Sequence, residues 1–274
     1  MTCIVLIPLY KSELMAEEQA SIQQNLSLLG NRFPVRFLGP EGVDFSAVEE
    51  RFPGIEILRV SDEWLGTRCG IAGYNRMMLS REFYSRFADY DYMLICQPDV
   101  WLFRDELHQW CERGYDYIGA PWPEKRLYSL GLIRFYLSLR RMFSPRKKVL
   151  RSDLFNRVGN GGLSLRRIAP FIEACTRYAV EIEHFLQQQH PLYNEDTFWA
   201  LVPEGWHYPS ADEARLFSID LKPELALMLN GGRLPFGCHG WFRPERRAFW
   251  EDQIATHSAE GCGGNKSEAL SPKS

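Results

Sequence analysis

Short apolar runs alternate along this chain with longer stretches in which apolar residues recur every three or four positions. Cys3 to Leu9 and Met93 to Cys96 are continuous apolar runs next to a proline, too short for helices, and read as buried strands. Arg36 to Gly39 and Ile55 to Val60 read as two further strands. Between the first two strands, Glu13 to Leu29 has helical apolar spacing, and the alternation predicts a β-α-β sheet with helices on its faces. Gly66 to Asn75 reads as a glycine-containing loop leading into a helix over Met77 to Phe87. Asp105 to Arg113 reads as a helix, and Tyr115 to Trp122 as a strand that breaks at Gly119 and Pro121. Further on, Leu163 and Leu165 start a buried strand. Phe171, Ile172, Cys175, Ala179, Ile182, Phe185 and Leu186 then bury one face of a helix that stops before Pro191. Phe198 to Val202 is a short apolar segment, and Leu216 to Leu221 reads as a strand. The pattern predicts an α/β fold in one domain, residues 1–255, with a mostly parallel sheet flanked by helices. A Ser/Gly/Lys-rich tail, 256–274, is expected to be disordered.

Composition narrows the classes. The chain has 274 residues, 45% hydrophobic and 14% aromatic, enough for one large core or two small ones. A net charge of -3 gives no reason to expect binding to nucleic acid over the whole surface, so no nucleic-acid partner is expected. No apolar run approaches the roughly 20 residues that span a bilayer. The first residues lack the basic start of a signal peptide, which predicts a cytoplasmic protein. Seven scattered cysteines without a CxxC pair suit reduced thiols. One stretch departs from the rest: Lys125 to Arg151 carries many basic residues, Arg140, Arg141, Lys147 and Lys148 among them, with no acid and with interleaved Leu, Ile, Phe and Tyr. It reads as an insertion, either a basic amphipathic element that docks on the inner leaflet or a packed helix with a solvated basic face.

Candidate chemistry gathers where apolar runs end. In an open α/β sheet ligands collect beyond the carboxyl ends of the strands, which puts Asp99, after Gln97 and Pro98, at such a rim. There it can face a cation or a phosphate, or simply sit in a strand-ending turn. Pro8 to Tyr10 is a second rim, suited to a nucleotide. Glycines at Gly66 and Gly70 permit close approach of a phosphate or ribose. Val158 to Arg166 holds Gly159, Gly161 and Gly162, more glycine than a tight turn needs. Asn194, Glu195 and Asp196 precede Phe198, as helix caps or as catalytic acids. His239, between Cys238 and Gly240 and close to Trp241, is either structural or a ligand-facing imidazole.

Taken together, Tyr90 to Asp99, Tyr115 to Trp122, Val158 to Arg166, Asn194 to Trp199 and Phe236 to Trp241 resemble a bacterial family of glycosyltransferase-like proteins, the DUF5672 type. Their order is also similar to the inverting GT-A glycosyltransferases: an Asp-x-Asp, a glycine-rich turn, an acidic pair and a late His. The resemblance implies a GT-A-like, Rossmann-like sheet over about Cys3 to Trp250. It implies transfer of a sugar, with inversion, from a nucleotide-sugar donor to a glycan or lipid-linked glycan acceptor in bacterial surface polysaccharide synthesis. By position, Asp99 matches the last Asp of the Asp-x-Asp and His239 the metal-binding His, so both would hold a divalent Mn or Mg ion. Asp196 falls on the catalytic base, with Glu195 as the second candidate. Gly161 and Gly162, with Asn160, fall on the turn that floors the donor and acceptor pocket. Gly70 to Asn75 is similar to the segment set against the nucleotide, and Pro8, Tyr10, Gln97 and Trp241 complete the implied binding set. Gln97 stands where the first Asp of the motif would be, which makes the site less anionic and its metal binding weaker. Two other readings stay open: a non-catalytic nucleotide-sugar or glycan-binding module, favoured by Gln97, and a nucleotidyltransferase. The latter needs a Gly-rich basic loop after the first strand, where this chain has Pro8-Leu9-Tyr10-Lys11-Ser12.

Overall fold

A computed structural model describes residues 1–123, 152–188 and 190–263. The basic insertion expected at 125–151 lies outside the described residues. Among those described, six strands form the central sheet in the order β3-β2-β1-β4-β7-β6. They are β1 (Cys3–Pro8), β2 (Val35–Pro40), β3 (Glu56–Val60), β4 (Tyr92–Cys96), β6 (Tyr117–Pro121) and β7 (Val158–Arg167). Strands β1 to β4 are parallel, and β7 runs antiparallel to both β4 and β6. A small second sheet, β5-β9-β8, is built from β5 (Val100–Leu102), β8 (Ser218–Ile219) and β9 (Gly237–His239). The expected α/β fold, mostly parallel with helices on its faces, is therefore present.

The period-2 alternation of strands explains why the first and fourth strands read as unbroken apolar runs. Cys3, Val5 and Ile7 of β1, with Tyr92, Leu94 and Cys96 of β4, enter one core. Ile4, Leu6, Met93 and Ile95 enter the other. The first core is covered by α1 (Ala16–Leu29), α2 (Ser46–Arg51) and α5 (Leu107–Glu112). The second is covered by α3 (Gly70–Met78), α4 (Arg81–Ser85), α6 (Ile168–Arg177), α7 (Ala179–Leu186) and α8 (Glu195–Leu201). Then come α9 (Ala211–Phe217), α10 (Pro223–Leu229) and α11 (Arg247–Gly263).

Several elements differ from their sequence reading. The loop expected over Gly66 to Asn75 is helical from Gly70. The following helix breaks at Leu79, because Ser80 caps a new helix by accepting from the Phe83 N–H at 3.4 Å. The helix expected from Phe171 to Leu186 is two helices that meet at Tyr178. Leu216 to Leu221 contributes only the two-residue β8, since Ala211 to Phe217 is a helix capped by Ser210. The tail expected to be disordered from 256 is helical through Gly263, and its remainder lies outside the described residues.

Candidate functional site

The glycine cluster is not a turn. All of Val158 to Arg166 belongs to β7, and the glycines form an irregularity inside it: Gly119 of β6 pairs with Ser164, but the next residue, Ala120, pairs with Asn160. The extra residues, Gly161 to Leu163, bulge at the end of β4, where the Gln97 N–H donates to the Gly162 carbonyl at 3.0 Å. A side chain on Gly161 would lie 2.8 Å from Glu195 Oε1 and 3.5 Å from Asp196 Cβ. A side chain on Gly162 would collide with the His239 ring. The two glycines thus let two polar clusters close in on the same bulge.

The first cluster surrounds His239. β5 pairs with β9 so that Val100 lies opposite His239, and the Gly240 N–H donates to the Asp99 carbonyl at 2.9 Å. His239 Nε2 lies 3.1 Å from Gln97 Oε1 and 3.2 Å from Asp99 Oδ1. Its Nδ1 has Asp220 Oδ1 at 3.3 Å, an ion-pair distance without hydrogen-bond alignment. Asp220 is itself held by Arg246 Nη1 at 2.6 Å and by the Asn160 amide, and Asp99 Oδ2 by Arg243 at 3.4 Å. Burial opposes charge on Asp99, but His239 and Arg243 outweigh it and keep its carboxyl below the ordinary range. Burial likewise opposes charge on Asp220, and His239 with Arg246 holds it at about 2. The imidazole pays the same burial penalty, yet Asp99 and Asp220 push it up to about 10. The protonated ring thus supplies the positive charge between Asp99 and Gln97, and a divalent ion would bind there in place of the Nε2 proton. An imidazole nitrogen, a carboxylate oxygen and an amide oxygen around one point fit a divalent ion. Among the described residues no three His, Cys, Asp or Glu side chains gather into a complete metal site, so such an ion would need further ligands from a bound anion.

The second cluster lies at the start of α8. Arg166 and Glu195, both buried, form a two-pronged pair at 3.0 Å for each contact, and Arg166 also donates to the Tyr84 hydroxyl at 2.7 Å and to Ser164 at 3.1 Å. Burial disfavours the guanidinium charge, but Glu195 and the surrounding phenols outweigh it and raise the Arg166 pKa well above its usual value. The Glu195 N–H donates to Asn75 Oδ1 at 3.1 Å, and the Asn75 amide donates to Asn194 at 3.0 Å, which ties α3 to α8. Asp196, the next residue, has no cation on its carboxylate among the described residues; its Oδ1 accepts from the Thr197 N–H at 2.7 Å. Burial, then the neighbouring charge of Glu195, pushes its carboxyl up to about 7.

Most of the residues expected from the sequence meet here. Gln97, Asp99, Asn160, Gly161, Gly162, Asp196 and His239 line the bulge and its two clusters. Glu195 is close by, with both carboxylate oxygens accepting from Arg166. Pro8 ends β1, and Tyr10 packs on Tyr74 with ring centroids 5.9 Å apart. The buried Tyr74 hydroxyl has no hydrogen-bond partner. Gly70 opens α3 with φ +51, a conformation that favours glycine, and the space beyond its Cα is open. Trp241 is turned into a small core of its own with Phe103, Ile219, Cys238 and Trp250: its N–H donates to Ser21 at 2.7 Å, and its ring packs edge-on against Trp101. Sequence reasoning missed Asp220, Arg166 and Arg246. Asp220 had the same signal as Asp99, a carboxylate just after a short apolar run.

Solved structures share this architecture. An active-site mutant of LgtC is 14% identical over 94% of this chain and 95% of that one, with a TM-score of 0.55. The galactosyltransferase LgtC in complex with donor and acceptor sugar analogs is 10% identical, with the same coverage and a TM-score of 0.51. The apo bifunctional glycosyltransferase WbbM is 10% identical over 87% of this chain and 45% of that one, with a TM-score of 0.53. At these identities the likeness establishes the fold, which is that of the GT-A glycosyltransferases. No curated protein matches the sequence. The profile of the DUF5672 family, described as a protein of unknown function, matches residues 54–239, from just before β3 to the imidazole of the first cluster. On that match the chain belongs to the DUF5672 family.

Proposed function

We propose that this protein transfers a sugar from a nucleotide-sugar donor to a glycan or lipid-linked glycan acceptor of the bacterial surface. The observation that carries the reading is the side-chain-free bulge at Gly161 and Gly162, with the Asp99–His239 cluster against one glycine and the Asp196 carboxylate against the other. The shared fold with glycosyltransferases, one of them in complex with donor and acceptor sugar analogs, supports it.

Breaking a sugar-phosphate bond leaves a diphosphate whose growing charge must be met. Asp99, His239 Nε2 and the Gln97 amide would hold a divalent ion there, which when bound would neutralise that charge. Asp220, fixed by Arg246 and Asn160, supports the imbalance of charge around His239 and keeps its ring in place. Arg243, on Asp99, adds a cation at the same edge. Tyr10, beyond the end of β1 and packed on the buried Tyr74, would form an aromatic wall for the nucleotide.

The acceptor hydroxyl is a poor nucleophile until a base takes its proton. Asp196 is that base: its neighbour Glu195 is held in an ion pair by Arg166, and its own pKa of about 7 suits proton transfer near neutrality. Inversion follows if Asp196 stands opposite the departing diphosphate. Product NMR reads this directly, and a product that retains the donor's anomeric configuration assigns Asp196 another role.

The test is nucleotide release from a panel of nucleotide sugars, with wild type and Asp196→Asn. Release that falls by about 10² to 10⁴ in the variant, with donor binding kept, supports the reading. Donor binding without release in the wild type would leave the non-catalytic binding module as the better account.

A further inference from the structure

Gln97, unlike Asp99, can face an ion the wrong way round. A carboxylate presents oxygen on either side, whereas an amide carries one oxygen and one NH2 group of nearly the same shape, and only the oxygen binds a cation. The backbone leaves that choice open. The Gln97 N–H donates to the Gly162 carbonyl at 3.0 Å and its carbonyl accepts from the Val100 N–H at 2.9 Å, which fixes the main chain but not the end of the side chain. With the ring protonated, His239 Nε2 sets the amide by donating to Gln97 Oε1 at 3.1 Å. Once Nε2 gives up that proton to make room for an ion, this donor is gone and the amide needs a partner on its nitrogen side.

Tyr74 stands on that side. The Gln97 side chain lies against its hydroxyl as a hydrogen-bonding neighbour. The contact falls short of an aligned hydrogen bond, and the hydroxyl is buried with no other partner among the described residues. Folding alone does not call for such a group, because a phenylalanine would fill the same space without leaving a buried oxygen unsatisfied. The ring itself is firmly held: it is 3% exposed and packs on Tyr10. The next residue, Asn75, accepts from the Glu195 N–H and donates to Asn194, so this part of α3 is tied to α8. A rigidly placed acceptor beside a side chain whose end is undecided is what an orienting contact requires.

We propose that Tyr74 is a positioning residue for the ion: its phenol oxygen accepts from the Gln97 NH2 group and so turns Gln97 Oε1 toward the point between Asp99 and His239 Nε2. This rests on the ion that the sugar-transfer reading places there, and adds the device that lets an amide serve beside a carboxylate. Buried behind Gln97, the Tyr74 hydroxyl acts through the amide and touches neither ion nor sugar.

Manganese titration, followed by the electron paramagnetic resonance of the free ion, tests this with Tyr74→Phe made in wild type and in Gln97→Glu. Loss of an outer partner of a metal ligand typically lowers affinity about 10- to 100-fold, so Tyr74→Phe should weaken manganese binding at least about tenfold in wild type. In Gln97→Glu either oxygen can face the ion, and the same change should then alter affinity by about twofold or less. In EDTA, Tyr74→Phe should melt no lower than wild type, since the hydroxyl it removes has no partner. Affinity unchanged by Tyr74→Phe, an equal loss in both backgrounds, or a lower melting temperature in EDTA would each overturn the proposal. No manganese binding by wild type would overturn the ion, and the proposal with it. Nucleotide release from the same samples reads sugar transfer separately: manganese affinity that depends on Tyr74 without any release refutes transfer and leaves the positioning role standing.

Discussion

Replacing Asp196 by Asn should make the protein more stable at pH 8 and less active, and the size of both effects follows from the environment of one carboxyl. Burial first, and the Glu195 charge second, push that carboxyl up to about 7. In the unfolded chain it titrates near 3.9. A folded pKa above the unfolded one means the folded state holds the proton more tightly. The stability from this group is therefore complete below pH of about 4 and is lost as pH rises to about 7. A gap of about three pH units corresponds to roughly 4 kcal/mol. An asparagine has no proton to lose but must satisfy a half-buried amide, which reduces the gain at pH 8 to about 1–3 kcal/mol. At about 2–4 °C per kcal/mol for a chain of this size, thermal unfolding at pH 8 should show Asp196→Asn melting about 2–12 °C above wild type. Near pH 4 the wild-type carboxyl keeps its proton, so the variant's advantage is gone and only the cost of the amide remains; the variant should melt about 2–12 °C below wild type. Equal melting at pH 8, or the same offset at both pH values, would refute the environment described for Asp196. In wild type, turnover should rise with pH through about 7 as the base loses its proton.

Other consequences can be checked with single substitutions. Arg166→Met leaves Glu195 buried without its counter-charge and should cost about 3–5 kcal/mol in urea unfolding, part of which Arg166→Met/Glu195→Leu should restore. Gly162→Ala places a methyl group against the His239 ring and should lower manganese affinity at least about tenfold by calorimetry, with a stability loss of about 1–3 kcal/mol. The segment 125–151 supports a prediction from sequence alone: flotation with phosphatidylglycerol vesicles that weakens with salt and with Arg140, Arg141, Lys147 and Lys148 changed to Ser. Equal recovery with and without anionic vesicles would remove the inner leaflet as a partner.

The middle of the sheet was legible because its strands are buried on both sides. β1 and β4 need apolar residues at every position, and that shows as an unbroken run. β7 was harder, since three of its residues are glycines whose reason is tertiary: Tyr117 crowds Gly159, Glu195 crowds Gly161 and His239 crowds Gly162. Nothing local distinguishes such a strand from a turn. Asp99, Asp196 and His239 were legible as candidates because polar residues next to apolar runs or glycines are rare enough to notice. Their division of labour was not. Glu195 and Asp196 are adjacent and chemically alike, and only Arg166, far away in sequence but held beside Glu195 by β7, tells them apart. Trp241 looked like part of the site for its place beside Gly240, yet Ser21 of α1 supplies the partner that draws its indole inward.

The central claim is that the two clusters around Gly161 and Gly162 bind a nucleotide sugar, and direct calorimetric titration tests it. Wild type should bind at least one nucleotide sugar from a panel of uridine, guanosine, cytidine and thymidine diphosphate sugars, more tightly with manganese than in EDTA. Asp99→Ala and His239→Ala should each lose the manganese-dependent part. Binding that is the same in EDTA and in both variants would contradict the assignment of the ion to Asp99 and His239, and absence of binding to every nucleotide sugar, with manganese present, would contradict the account as a whole.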